Sequence, residues 1–156
     1  MEKEKFKFDY FYGAQAEQYA FFRIPMLLIK DDYFNKNLSD AAKLLYGLML
    51  DRLSLSVKNN WFDEENRVFI IYTIEQIMID LNCGRDKAIK IMAELDEDKG
   101  IGLIKRIRQG FGKPAIIYVY NFMSKINENI RENAESTMGY TEVGKTDFTR
   151  SEKPTS

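Results

Sequence analysis

Between Lys99 and Tyr120 the chain carries Lys99, Lys105, Arg106, Arg108 and Lys113 and no acidic residue. Basic side chains gathered on a short segment suit a surface that follows a phosphate backbone, where each contact releases condensed counterions. Just before it, Ala88, Ile91, Met92 and Leu95 fall at i, i+3, i+4, i+7, the spacing of one buried helix face. Arg85, Asp86, Lys87, Ile89 and Lys90 lie off that stripe. A helix enters the DNA major groove with its first residues nearest the base edges. Arg85 and Lys90 are therefore the candidate base readers, with Asp86, Lys87 and Ile89 beside them. Glu94, Asp96, Glu97 and Asp98 in the second half would repel phosphates and stay out of the groove. Mixed charge on a helix face also arises from solvation alone, and Asp86 and Lys90 form an ordinary i, i+4 pair. The adjoining acid-free segment is what favours DNA.

Other chemistries find little support. The chain has no histidine and one cysteine, Cys83, which removes the commonest metal ligand and general base and any internal disulfide. Gly110 and Gly112 fit a loose dinucleotide pattern, but a strand follows where a helix is needed, and Lys113 lacks the Ser or Thr of a phosphate loop. Asp63, Glu64 and Glu65 sit on a turn without the spaced ligands of a metal site. No catalytic constellation emerges, so neither an enzyme nor a cofactor is expected.

The elements that must position the basic residues follow from local signals. Thr73-Ile74-Glu75-Gln76 is a capping box that starts a helix reaching Leu81. Asn82, Cys83 and Gly84 supply a tight turn, and a second helix runs from Arg85 to about Asp98. Ile101 to Arg108 and Ala115 to Tyr120 are extended and flank Gln109-Gly110-Phe111-Gly112-Lys113-Pro114, a hairpin whose turn presents Gln109, Phe111 and Lys113. Phe111 has two readings: it presses on a minor groove or sugar, or it folds back on its own hairpin. Ile89 either touches a thymine methyl or packs at the core boundary.

Ser39 caps a helix to about Val57 that is apolar around most of its circumference, as for a central helix or one that also meets a second subunit. Trp61 to Tyr72 read as two short extended pieces around an acidic turn, and residues 19 to 29 as an extended segment packed on the core, with Pro25 at an edge. The fold class expected is α+β, mainly helical: a winged helix-turn-helix with a β-hairpin wing. A chain of 156 residues suits one domain of roughly 100 to 150 residues with flanks. Its expected limits are 19–123, after a partly ordered N-terminal arm over 1–18 and before a flexible linker or tail over 124–156. The net charge of −1 is unremarkable for a DNA binder only because charge is segregated along the chain. The charged start and the lack of an apolar run of about 18 residues lead to the expectation of a cytoplasmic protein with no membrane contact.

Longer stretches add a resemblance. EQYAFFRIPMLLI, LSDAAKLLYGLMLDRLSLSVKNNWFDEENRVFIIYTIEQIMIDLNC, AELDEDKGIGLI and RQGFGKPAIIYVYNF together resemble the N-terminal domain of the RepA_N replication initiators over about residues 9 to 123. The resemblance implies a winged helix similar to the N-terminal domain of the primosome protein DnaD. It further implies a homodimer that binds repeated double-stranded sites at the replication origin of a plasmid or integrative element of Gram-positive bacteria. In the family a separate C-terminal domain contacts host replication proteins; none is visible here, so a fragment or a short member is expected. From the residues alone a transcriptional regulator is equally open, and a third reading is a winged helix that serves only protein interaction, its basic wing meeting an acidic partner.

Overall fold

In the computed structural model, which describes residues 5–13 and 20–124, Asp31 separates the first two helices. Its carboxylate accepts from the N–H groups of Tyr33 and Phe34 at 3.0 and 3.3 Å, ending α1 (Leu27–Lys30) and starting α2 (Asp32–Asn37). The expected extended segment is thus replaced by a helix from Leu27 onward. Its earlier part does pack closely: a Cβ on Gly47 would lie 2.8 Å from Ile24 Cγ1 and 3.0 Å from the Arg23 carbonyl oxygen. Gly47 lets this strip cross the next helix.

That helix is α3 (Asp40–Lys58), with Ser39 Oγ accepting from the Ala42 N–H at 3.2 Å. Ala42, Leu45, Tyr46 and Met49 are buried, whereas Leu44, Leu55 and Val57 are exposed. The apolar circumference read from the sequence is therefore covered only in part. After α3 the chain folds back on itself: Phe62 and Val68 bridge antiparallel around the acidic turn, and Trp61 stacks on Phe69 with ring centroids 6.1 Å apart.

The Thr73 capping box forms as expected and opens α4 (Ile74–Asp80), with Leu81 as its C-cap. Asn82 takes φ 47°, a left-handed turn conformation that Asn tolerates better than most residues, and Gly84 caps α5 (Arg85–Leu95). α5 stops three residues short of Asp98. Asp96 is extended and bridges to Ile104, Leu103 N–H donates to the Leu95 carbonyl at 2.8 Å, and these bonds draw the chain off the helix axis.

The hairpin of β1 (Ile104–Ile107) and β2 (Ile116–Val119) pairs Ile104 with Val119, Lys105 with Tyr118, Arg106 with Ile117 and Ile107 with Ile116. Ile70 adds an antiparallel bridge to Ile117 on the far side of β2. Ile70, Ile104 and Ile117 join Leu45, Met49, Ile77, Ile91 and Leu95 in one core beneath the helices. This is the mainly helical, hairpin-bearing arrangement that the sequence predicts. Among the described residues no helix is long and apolar enough to cross a membrane.

Candidate nucleic-acid interface

α5 buries Ala88, Ile91, Met92 and Leu95 and leaves Arg85, Asp86, Lys87, Ile89 and Lys90 exposed, so the predicted helix candidates do share the solvent side. They are not equally free. Arg85 Nη1 donates to Glu75 Oε1 of α4 at 3.0 Å, an exposed pair across the turn. The Glu75 carboxyl sits below its usual range, held down first by its own backbone N–H and then by Arg85. Lys87 and Lys90 form no ion pair among the described residues, and the expected Asp86–Lys90 pair is not made. Ile89 is exposed rather than tucked into the core boundary.

In the hairpin, the register sets the faces, because directly paired residues and alternate residues share a side. Arg106 shares its side with Ile104 and Ile117, whose own side chains reach the core. Lys105 and Ile107 share the other side with Tyr118 and line a shallow groove with Arg67 and Val68. Lys105 also meets an acid from outside the hairpin, Glu97, at 3.8 Å. Arg106, Arg108 and Lys113 form no ion pair among the described residues. Gln109 is exposed at the turn. Phe111 is fully exposed between Gly110 (φ 114°) and Gly112 (φ 78°), so the fold-back reading fails. The two glycines adopt backbone conformations that suit no other residue well and hold the ring away from its own strands.

The hairpin is braced from behind by a residue the sequence reading treated only as part of an acidic turn. Asp63 accepts from the N–H groups of Glu65 and Arg67, from Arg67 Nε at 2.7 Å and from the Tyr118 hydroxyl of β2 at 2.7 Å. Burial alone would push its carboxyl up, but the bonds from the Arg67 N–H, Tyr118, Arg67 Nε and the Glu65 N–H outweigh this and bring it down to about 2. The same contact raises the Tyr118 hydroxyl above its usual value. The missed signal was local: a carboxylate four residues before an arginine, across a turn that Asn66 closes with φ 64°.

No group of three or more potential metal ligands occurs among the described residues. What remains is a helix and a hairpin with unpaired cations, joined through the bridge from Asp96 to Ile104. That surface can make charge-assisted contacts to phosphates and, from the first turns of α5, donor contacts to base edges.

Comparison with known proteins gives a consistent neighbourhood. The family described as "Replication initiator protein A (RepA) N-terminus" matches residues 20–132, more than half of the chain. A curated relative, the "41 kDa protein" of Lactobacillus helveticus, is 29% identical over 100 residues, which cover 64% of this chain and 27% of that protein. This chain thus spans about a quarter of that relative's length. The solved "N-Terminal domain of DNA binding protein" is 31% identical with TM-score 0.60, the match covering 83% of this chain and 96% of the other. A "Structure of Rep-DNA complex" gives 31% and 0.60 over 82% and 95%. A "Structure of MDR initiator" gives 29% and 0.55 over 80% and 98%.

Proposed function

The chain belongs to the RepA_N family, the N-terminal domains of replication initiator protein A, and on that premise we propose that α5 and the hairpin bind double-stranded DNA at the replication origin of a plasmid or integrative element. One observation carries the reading. Lys87 and Lys90 of α5 and Arg106, Arg108 and Lys113 of the hairpin are unpaired on two elements that the protein ties together. Solvation does not require such an arrangement, and phosphate contact does. The relative solved as a Rep-DNA complex supports the same reading. α5 supplies the base contacts and the hairpin follows the backbone as a wing, with Phe111 against a sugar or the minor groove.

The exposed Leu44, Leu55 and Val57 of α3, with the exposed aromatics Phe6, Phe8 and Tyr10 of the arm, support a homodimer on repeated sites. Contacts with host replication proteins belong, in this reading, to the separate C-terminal domain of the longer initiators. The protein is read as a cytoplasmic binding module with no reaction of its own.

Sequencing of duplex fragments selected by the purified protein is the direct test. The expected result is a repeated motif from an origin, bound with an affinity that falls steeply between about 50 and 200 mM salt. A motif confined to promoters would make the protein a transcriptional regulator. Absence of salt-dependent duplex binding would leave only a protein-interaction role.

A further inference from the structure

Glu94 is the last acid on α5 and, in sequence, merely one of a run that keeps the rear of the helix away from phosphates. In the structure its carboxylate reaches across to the start of α3. Its Oε1 accepts from the Ser39 N–H at 2.8 Å and its Oε2 from the Ser39 hydroxyl at 2.7 Å, across 55 residues of chain. The same hydroxyl oxygen accepts from the Ala42 N–H, so one carboxylate closes the N-terminus of α3 and fixes the rotation of its capping serine. The Glu94 main chain is engaged as well: its carbonyl accepts from the Ile101 N–H at 3.0 Å, and the segment leading to β1 lies so close that a Cβ on Gly100 would sit 2.0 Å from that oxygen. Glu94 therefore joins the long core helix, the helix with the candidate base readers and the approach to the hairpin.

We propose that Glu94 is a positioning residue for DNA recognition, which sets the angle of α5 against α3 and hence where Lys90 and Arg85 meet the bases. This rests on the DNA-binding reading above. The lever is long. At 1.5 Å per residue Lys90 stands about 6 Å and Arg85 about 13.5 Å along the axis from Glu94, so a 10° tilt about the Glu94 end moves the start of α5 by about 2 Å. Base-edge hydrogen bonds do not survive a shift of that size. Phosphate contacts made by flexible lysines and by the wing do, because the backbone offers acceptors all along the groove.

The two roles of Glu94 predict opposite results. An acid that only repels phosphates would, when removed, leave every duplex bound more tightly. A positioning residue would lose discrimination instead. The test measures the affinity of wild type, Glu94→Ala, Glu94→Gln and Ser39→Gly for the selected duplex and for random duplex over a salt series, with thermal melts to confirm folding. Ser39→Gly keeps a good helix cap while removing the hydroxyl that Glu94 holds, which guards against a Glu94 variant that does not fold. The expected outcome is a loss of about tenfold in the ratio of selected to random affinity for Glu94→Ala, the worth of roughly one good base contact. Ser39→Gly should show a smaller loss, and Gln, which still offers one acceptor, a partial recovery, all with the salt slope unchanged. An unchanged ratio in folded Glu94→Ala and Ser39→Gly, or tighter binding to both duplexes, overturns the positioning role and leaves DNA binding intact. A wild type that fails to bind either duplex removes the DNA-binding reading and this one with it.

Discussion

Replacing both Arg106 and Arg108 by alanine should weaken binding to every duplex by the same factor, and the structure allows that factor to be worked out. Lys105 is engaged by Glu97 and shares its side of β1 with Ile107, whereas Arg106 is unpaired on the opposite side. Arg108, two residues on, continues the alternation of Arg106. If each arginine neutralises one phosphate, the double variant lowers the slope of log affinity against log salt by about 1.8, at about 0.9 per contact. Referred to 1 M salt, where this contribution vanishes, the combined change of about 1.8 means a loss of about 30-fold at 0.15 M, or about 2 kcal/mol. Both side chains are exposed, so the melting temperature should barely move. Fluorescence anisotropy on selected and random duplexes, at four or more salt concentrations, reads both quantities. Unchanged affinity and slope in a folded double variant would refute the assignment of the hairpin as a phosphate-contacting wing. A loss confined to the selected duplex would make these arginines base readers instead.

Lys90→Ala should cost about 1 to 3 kcal/mol of preference for the selected duplex and little affinity for random DNA, as titration of both will show. Glu75→Ala releases Arg85 from its 3.0 Å partner and removes an acid, so it should tighten binding to both duplexes. An exposed pair of this kind contributes little to stability, and the melting temperature should hold. Asp63 has its carboxyl lowered to about 2, so its contribution to stability is complete above the unfolded value near 4 and is lost as pH falls through about 2. Thermal melts between pH 5 and pH 2 should therefore fall less steeply in Asp63→Asn than in wild type; parallel curves would mean that Asp63 is not coupled to folding. Light scattering at micromolar concentration should give the mass of a dimer, and a strictly monomeric mass both alone and on tandem-repeat DNA would reject it.

Where the determinants lay close together in the chain, they could be read from the sequence. The Thr73 capping box needs only Gln76, the turn at Asn82 needs only the residues beside it, and the stripe from Ala88 to Leu95 is one helix face. α2 was missed although its signal is equally local, an Asp31 cap, because six residues are too few for periodicity to show. The end of α5 was misplaced for a different reason. Glu97 and Asp98 suit a helix well enough, and what stops it is Asp96 bridging to Ile104 and the chain doubling back against Glu94. Those partners are remote, and no local pattern contains them. The site divides the same way: its residue types and exposed sides were legible, while the pairing of Arg85 with Glu75 and of Glu94 with Ser39 required the packed fold.

The same packing resolves how a chain of net charge −1 can present a surface to a polyanion. Several of the acids around the candidate interface are engaged by the protein's own donors. Asp63 is held by Arg67 and Tyr118, Asp80 by Arg52 and Tyr72, Glu97 by Tyr120 and Lys105, and Glu94 by the N-terminus of α3, whose partial positive charge offsets it. The field a phosphate meets at short range is set by groups without such partners, since screening leaves about 8 Å of reach at physiological salt. On α5 and the hairpin those include Lys87, Lys90, Arg106, Arg108 and Lys113, against one exposed acid, Asp86, at the start of the helix. Asp86→Asn should accordingly raise affinity for random duplex and steepen association at low salt. If it instead lowers affinity for the selected duplex alone, Asp86 is itself a base contact, accepting from a cytosine amino group, and the acid is part of the recognition surface rather than a residual repulsion.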